Sequence, residues 1–344
     1  MQLISNTLRA LIVAAGLVGD IVPVPGTQPI MPLFERSDLV CNCVVESVRV
    51  VEGQTRQRGG KSYLWQSVLA TITVRDSYKN ANDDNKINVA FEKEMPTTRA
   101  IPTLSEGETG VMFLKLSPRS ADYEFADKFL GITPFTSLPV QGGMPGPNKL
   151  QLALVAVIQT GRVEDQVRAM GLLQGFDSFD PRALSSLVPL SASADPEIAL
   201  SSLAVLIKAR TSGAVLQLGT YLRTHKISPE PWAMVSIGTE LGDIRDLEDL
   251  VPLEALTRSE HLSIRIGAID GIRNLRDPHS AGVLAERLDD PDRTVRYLAT
   301  ITLAEIFAKG GDYAPSMHLF DQDPDSYTGR WKRWWMEQKQ LQSR

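Results

Sequence analysis

The residues of this chain that could carry out catalysis or bind a metal are few and far apart. A catalytic dyad or triad needs a base beside a nucleophile, and a zinc site needs several nitrogen or sulfur ligands. The sequence has two cysteines and four histidines, and the histidines are His225, His261, His279 and His318. No metalloprotease, nucleophile-elbow or phosphate-loop motif surrounds any of them. We therefore expect no enzymatic activity and no catalytic, cofactor-binding or metal-binding residues.

Two short motifs resemble parts of metal sites. Cys41 and Cys43 stand at alternate positions, which places both thiols on one face of a β-strand. We interpret them as small apolar core residues, because two thiols without further ligands are weak evidence for a metal site. Residues 321–325, Asp-Gln-Asp-Pro-Asp, resemble the start of a calcium-binding loop. Ser326 and Lys332 stand where such a loop needs glycine and glutamate, so we expect a capped helix start instead.

Composition, length and net charge indicate what class of protein this is. Hydrophobic residues make up 43% of the chain, which is enough to build a sizeable core. The length of 344 residues corresponds to about two domains. The formal net charge of −5 argues against a dedicated nucleic-acid-binding protein, which would normally show a basic stripe.

The N-terminal residues have the character of an export signal. Residues 10–19 form an apolar run that follows Arg9. The run is too short to cross a bilayer, which takes about 20 apolar residues, and it fits the apolar region of a secretory signal. We expect residues 1–26 to be a signal segment and the protein to be extracytoplasmic, either periplasmic or secreted. The alternative is an ordinary N-terminal helix of a cytoplasmic protein.

Residues 33–140 form the β-rich part of the sequence. The segment 69–74, Leu-Ala-Thr-Ile-Thr-Val, alternates apolar and polar residues with the period of a half-buried strand. Other candidate strands lie at 40–51, 87–91, 110–116 and 123–125, separated by turn-rich stretches that include 53–61 and 80–85. This pattern predicts a small β-barrel or β-sandwich.

Three segments of this part resemble the OB-like module of the netrin/TIMP type. They are Phe-Glu-Arg-Ser-Asp-Leu-Val at 34–40, the strand at 69–74, and Gly-Glu-Thr-Gly-Val-Met-Phe-Leu at 107–114. The resemblance implies an OB-like barrel. Inhibitors of that family approach a metalloprotease zinc through an N-terminal Cys-x-Cys, whereas Cys41 and Cys43 follow the first of these segments and fall inside a predicted strand. Metalloprotease inhibition is therefore an alternative function and not the first expectation.

Amphipathic helices are expected over residues 150–310, after a Gly- and Pro-rich linker at 141–149. Arg265 and Arg296 occupy the same position of two helices that are 31 residues apart, and apolar residues recur around them with helical period. Asp-Pro pairs before the helices supply N-cap acceptors. A repeat of this length with two helices per unit predicts a solenoid.

The pattern Asp-Pro-Asp-x-x-Val-Arg-x-x-Ala-x-x-x-Leu at 290–303 resembles HEAT repeats in their short bacterial form. The resemblance covers residues 150–310 and implies an armadillo-like α-solenoid whose extended surface grips another macromolecule. Some proteins with such repeats resemble phycobilin lyases, which attach a chromophore to a partner protein. A ligand- or chromophore-handling accessory enzyme that uses the HEAT surface is therefore a further alternative.

The C-terminal segment, residues 311–344, is rich in tryptophan. Trp331, Trp334 and Trp335 share one face of a helix, and we interpret this helix as a cap on the open end of the repeats. Contact with a membrane surface or an anionic partner is the less favoured alternative. The candidate partner-binding residues are Arg265, Arg296, Trp331, Arg333, Trp334 and Trp335.

The sequence thus predicts an α+β protein of two domains, in which a small OB-like β-barrel or sandwich precedes an all-α HEAT-type α-solenoid. The expected function is non-enzymatic protein–protein interaction or scaffolding by an exported bacterial protein. The expected partner is a protein, and the oligomeric state stays open.

Overall fold

The computed structural model describes residues 30–58, 61–80, 85–95, 104–118, 120–127, 132–227 and 233–342. The chain forms two compact units, divided between Leu187 and Val188. The expected signal segment at 1–26 lies outside the described residues. None of the described helices is both long enough and apolar enough to cross a membrane.

The first unit contains a short helix and a six-stranded sheet. The helix is α1 (Ile30–Arg36), and the strands are β1 (Leu39–Arg58), β2 (Lys61–Lys79), β3 (Lys86–Met95), β4 (Thr109–Leu116), β5 (Tyr123–Phe125) and β6 (Ile132–Pro134). β1 pairs antiparallel with β2 and with β4, β2 pairs with β3, and β4 pairs with β5 and β6. A parallel bridge between Val89 and Tyr123 joins β3 to β5.

The core of the sheet is built from every second residue of its strands, as strand geometry requires. β1, β2 and β4 contribute most of it, through Leu39, Cys41, Cys43, Val45, Ala70, Ile72, Met112 and Leu114. Thr71 and Thr73 alternate with these positions and are only half-buried. The alternation of the segment 69–74 therefore corresponds to one strand with one buried face.

The described residues of the stretch 53–61, whose composition predicts turns, lie in strands. β1 continues to Arg58 and β2 begins at Lys61. Arg56 donates hydrogen bonds of 3.2 and 2.9 Å to the two carboxylate oxygens of Glu92 on β3, and Gln57 donates one of 2.9 Å to Ser62. These cross-strand pairs stabilise an extended backbone whose local composition favours turns.

Three helices follow the sheet within the first unit, namely α2 (Pro147–Thr160), α3 (Val163–Gln174) and α4 (Pro181–Leu187). Lys149 at the start of α2 reaches β2, where its Nζ lies 2.5 Å from Asp76 Oδ1 and 3.2 Å from the Ser77 carbonyl oxygen. Gln151 of α2 accepts a hydrogen bond from the Asp180 N–H, just before α4. These polar contacts link α2 to the sheet and to the start of α4.

The second unit consists of helices. The α-helices are α5 (Pro196–Lys208), α6 (Ala214–Thr224), α7 (Ala233–Gly242), α8 (Leu250–Leu256), α9 (Leu262–Leu275), α10 (Ala281–Arg287), α11 (Arg293–Ile306), α12 (Met317–Gln322) and α13 (Pro324–Gln342). Short 3-10 turns precede α8 at Leu247–Asp249 and α10 at Pro278–Ser280. Asp195 and Asp292 accept hydrogen bonds from the first backbone N–H groups of α5 and α11, respectively, so each is an N-cap.

A 31-residue repeat is visible in the elements themselves. The 3-10 turn, α8 and α9 begin at Leu247, Leu250 and Leu262, and their counterparts begin 31 residues later with the same lengths. Helices α5, α7, α9, α11 and α13 contact one another in succession and form a first row. Helices α6, α8 and α10 form a second row against α5, α9 and α11.

Glycines bring α7 and α9 unusually close together. A Cβ atom on Gly267 of α9 would lie 2.8 Å from the Cα of Gly238 on α7, and one on Gly271 would lie 2.6 Å from the Leu241 carbonyl oxygen. Real Cβ atoms essentially never make such contacts. The bare glycine backbones therefore set the distance between these two helices.

Candidate interaction surface

Arg265 and Arg296 make the same backbone contacts in the two repeats. The Nη1 of Arg265 donates to the carbonyl oxygens of Ser259 and Glu260, at 3.0 and 3.1 Å. The Nη1 of Arg296 donates to those of Asp290 and Pro291, at 2.9 and 3.1 Å. Each arginine thus reaches back from the first turn of its helix and holds the turn that precedes it.

Arg265 also reaches forward into the next repeat. Its Nε lies 3.2 Å from Asp290 Oδ2, and its Nη2 donates to Oδ1 at 3.3 Å. The side chains of Arg265 and Asp290 are only 12% and 2% exposed. The Asp290 carboxylate additionally accepts the N–H of Asp292. A partner could engage the Arg265 guanidinium only by breaking this buried ion pair, so its contacts are those of a brace between repeats.

The tryptophans of α13 lie in an aromatic cluster. Trp331 is fully buried, donates a 2.9 Å hydrogen bond from Nε1 to the Tyr313 carbonyl oxygen, and packs edge-on against the Tyr313 ring. Trp334 lies between Trp331 and Phe307, with ring centroids 5.1 and 4.6 Å away. These contacts attach α13 to the residues that follow α11.

The remaining candidates on α13 are more open to solvent. Trp335 is half-buried and approaches Gly282 of α10. Arg333 is exposed, whereas its neighbour Lys332 forms an ion pair with Asp289. Of the six residues that the sequence singles out, Arg333 is therefore the most accessible to a partner. The structure brings the three tryptophans together on one helix and places the two arginine braces elsewhere, at the helix starts.

A polar network on α9 and α11 was missed by sequence reasoning. Arg273 donates from Nε to Glu305 Oε1 at 2.8 Å and forms an ion pair with the same oxygen through Nη2. Its Nη1 lies 3.9 Å from Asp270 Oδ1. Asn274, one residue further along, donates to the Gly242 carbonyl oxygen of α7. We call Asp270, Arg273 and Glu305 the charged ladder, because it crosses from one helix of the first row to the next.

Asp270 has the most perturbed carboxyl group of the ladder. Its pKa is raised to about 6, mainly by burial; Arg273 opposes the rise, and nearby Glu305 and Asp243 add to it. The Asp270 side chain is 16% exposed, so the group is reached by solvent while being largely surrounded by protein. A carboxyl group in this setting changes its charge close to neutral pH.

The two cysteine thiols of β1 are enclosed by the sheet core. Cys41 and Cys43 are both free thiols and fully buried. The hydrogen bond between the two thiols and their burial raise the pKa of Cys43 well above its usual range. Raised pKa values disfavour the thiolate, which is the metal-binding and nucleophilic form. Within the described residues, no group of three or more His, Cys, Asp or Glu side chains could hold a metal ion.

No family model matches the sequence, and no curated protein matches it.

Proposed function

We propose that the six-stranded sheet of the first unit is an OB-like barrel and that the helices of the second unit form a HEAT-type α-solenoid. The strand pairings support the first part, because they run from β1 through β2, β3, β5 and β4 and return to β1. The 31-residue recurrence of a 3-10 turn and two helices supports the second part. Export remains part of the proposal and rests on the character of residues 1–26.

The proposed function is non-enzymatic protein–protein interaction or scaffolding by the helical unit. The observation that carries it is the charged ladder, in which Arg273 and Glu305 join neighbouring helices while Glu305 stays exposed. A row of stacked helices offers a partner one continuous face, and charges at fixed positions on that face provide specificity. Tyr297 on α11 is a half-buried aromatic neighbour of the ladder, of the type that is enriched at interfaces.

Two alternatives receive less support from the contacts. A metalloprotease inhibitor that acts through Cys41 and Cys43 would need thiols that can reach a zinc ion, and both are buried. A membrane-surface role for α13 would need tryptophans free to enter a lipid interface, and Trp331 is fully buried while Trp334 packs on Phe307. The aromatic contacts favour the cap interpretation of this helix.

The test compares two variants with the same change of charge. Full-length wild type, Glu305→Lys and Glu248→Lys are immobilised and exposed to an extract of the source cells, and captured proteins are identified by mass spectrometry. Glu305 belongs to the ladder, whereas Glu248 is an exposed acid in the 3-10 turn before α8. We expect one defined protein to be retained by wild type and Glu248→Lys and to be reduced about tenfold with Glu305→Lys.

Far-ultraviolet circular dichroism checks that both variants are folded. Equal capture by both variants, or the absence of any specifically captured protein, would contradict the proposed function of this face.

A further inference from the structure

A cleft in the second unit lies between the end of α6 and the turn that follows α8. It encloses about 350 Å³ and is open to solvent on one side. From α6 and the residues after it, Gly219, Leu222, Arg223, His225, Lys226 and Ile227 line the cleft. From α8 and its turn come Ala255, Leu256, Arg258, Ser259, Glu260 and His261.

The rim of this cleft carries more cations than anions. Among the lining residues there are three cationic side chains, those of Arg223, Lys226 and Arg258, and one carboxylate, that of Glu260. Arg258 is paired with Glu286, at 2.7 Å. Arg223 and Lys226 are exposed, and neither forms an ion pair with any residue in the described part of the chain. Among the described residues these two cations have no carboxylate partner, and both belong to one short segment that lines the cleft.

The next repeat shows what this position looks like when its charges are matched. Arg258, Ser259 and His261 occupy the places that Asp289, Asp290 and Asp292 take 31 residues later. There the acidic side chains have partners within the protein, because Lys332 pairs with Asp289 and Arg265 pairs with Asp290. Asp292 caps α11. The cleft at α6 and α8 lacks this acidic turn and so retains its positive charge.

The floor of the cleft is apolar. Leu256 and Ile227 are both buried, and Gly219 adds a position without a side chain to the lining of the cleft. A Cβ on Gly219 would lie 3.7 Å from Arg223 Nη1 and 3.8 Å from Leu256 Cδ2, which are ordinary van der Waals distances. An occupant could therefore lay a small aliphatic group on the floor while it directs negative charge to the rim.

We propose that this cleft binds an acidic peptide segment of a protein partner, with side-chain carboxylates paired to Arg223 and Lys226 and an aliphatic side chain on the floor. The inference rests on the proposed protein-binding function and adds the chemistry of the partner. An acidic peptide fits better than a nucleic acid or an anionic membrane, because the cationic rim is small and the whole chain has a net charge of −5.

The test measures binding of a defined probe to the full-length chain. A fluorescein-labelled peptide Glu-Glu-Leu-Glu-Glu is titrated by fluorescence anisotropy at low ionic strength, beside the same peptide with glutamine in place of glutamate. We expect the acidic peptide to bind and the glutamine peptide not to bind. The double variant Arg223→Glu/Lys226→Glu should weaken binding about tenfold or more, and Arg245→Glu, an exposed arginine outside the cleft, should leave it unchanged.

A second variant separates the cleft from general surface charge. Gly219→Leu fills the floor and keeps both cations, so it should also lower affinity about tenfold. Circular dichroism verifies the fold of each variant. Retained binding in Gly219→Leu or in the double variant would overturn the proposal. So would equal binding of the glutamine peptide, displacement by inorganic phosphate at concentrations similar to those of the peptide, or binding of phosphatidylserine vesicles without binding of the peptide.

Failure of this inference and failure of the proposed function give different results. If the peptide does not bind but Glu305→Lys still loses the captured protein, only the cleft assignment is wrong. If the peptide binds and capture does not depend on Glu305, the cleft stands and the ladder face is not the partner site.

Discussion

Replacing Gly267 by alanine tests whether bare backbone sets the distance between α7 and α9. The new Cβ would lie 2.8 Å from the Cα and the carbonyl carbon of Gly238, and closer still to its carbonyl oxygen. These neighbours are backbone atoms and cannot rotate away. The helices would have to separate by about 1 Å to reach van der Waals distance, and a gap of that size removes about a quarter to a half of each neighbouring contact's energy.

The expected magnitude follows from two opposing effects. Alanine improves intrinsic helix stability by about 1 kcal/mol over glycine. Overpacking of a close interface costs about 1–3 kcal/mol, and the separation would also weaken the packing around Gly271, which lies on the same side of α9 against α7. With the weakened packing around Gly271 included, we expect a net loss of about 1–2 kcal/mol in the free energy of unfolding. For a unit of this size the midpoint of thermal unfolding should fall by about 2–8 °C.

The assay is thermal unfolding of the full-length chain, followed by far-ultraviolet circular dichroism and by tryptophan fluorescence. Gly219→Ala is the matched control, because its Cβ would meet only ordinary contacts at 3.7 and 3.8 Å. It should raise the unfolding free energy by about 0.5–1 kcal/mol. The two substitutions are chemically identical and should have opposite signs. A stabilising effect of Gly267→Ala would refute the argument that this interface requires glycine.

Three further predictions concern charges and the aromatic cap. The pKa of the Asp270 carboxyl is about 6 in the folded chain and about 4 in the unfolded chain. Between these pH values the folded chain binds more protons than the unfolded chain, so its stability falls as the pH rises. Asp270→Asn should therefore gain stability relative to wild type, by up to about 3 kcal/mol, between about pH 4 and pH 7 in denaturant titrations; a constant difference would exclude this origin. Arg265→Ala should cost about 2–3 kcal/mol, because it removes the closer cation of buried Asp290 and leaves Arg287 at 3.7 Å. Arg258→Ala, in an exposed pair, should cost at most about 1 kcal/mol; similar losses would contradict the brace interpretation. Trp331→Ala should cost about 3–5 kcal/mol by removing a fully buried side chain, and a loss below about 1 kcal/mol would show that this helix does not contribute to folding.

The fold contains the strand and helix patterns that the sequence predicts. The long-range contacts between these elements could not be predicted from the sequence. The alternation at 69–74 corresponds to β2, and the periodic segment around Arg265 corresponds to α9. The extension of β1 through residues 53–58 is paired with β2, and Arg56 within it also bonds to Glu92, which is far along the chain. The attachment of α2 to the sheet depends in the same way on Lys149 and Asp76. Residues that pair over such long distances along the chain produce no periodic pattern in the sequence.

The same distinction applies to the candidate residues. The recurrence of Arg265 and Arg296 at one phase was visible, but the atoms that they contact were not. The charged ladder gave no such signal, because Arg273 and Glu305 are not at equivalent repeat positions. The equivalent of Glu305 is Asn274, which bonds to the Gly242 carbonyl oxygen instead. A network that changes its residue types from repeat to repeat can be recognised only once the helices are placed side by side.

Two different kinds of contact join successive helices of the first row. Between α7 and α9 the contact is backbone against backbone, through Gly238 and Gly267. Between α9 and the following repeat it is an ion pair, because Arg265 reaches the carboxylate of Asp290. An arginine at the position equivalent to Arg265 in α7 would be residue 234, which is methionine. The interface between α7 and α9 thus has a glycine contact in place of the arginine brace. Because residues outside the repeat pattern maintain this interface, the pattern weakens before residue 247.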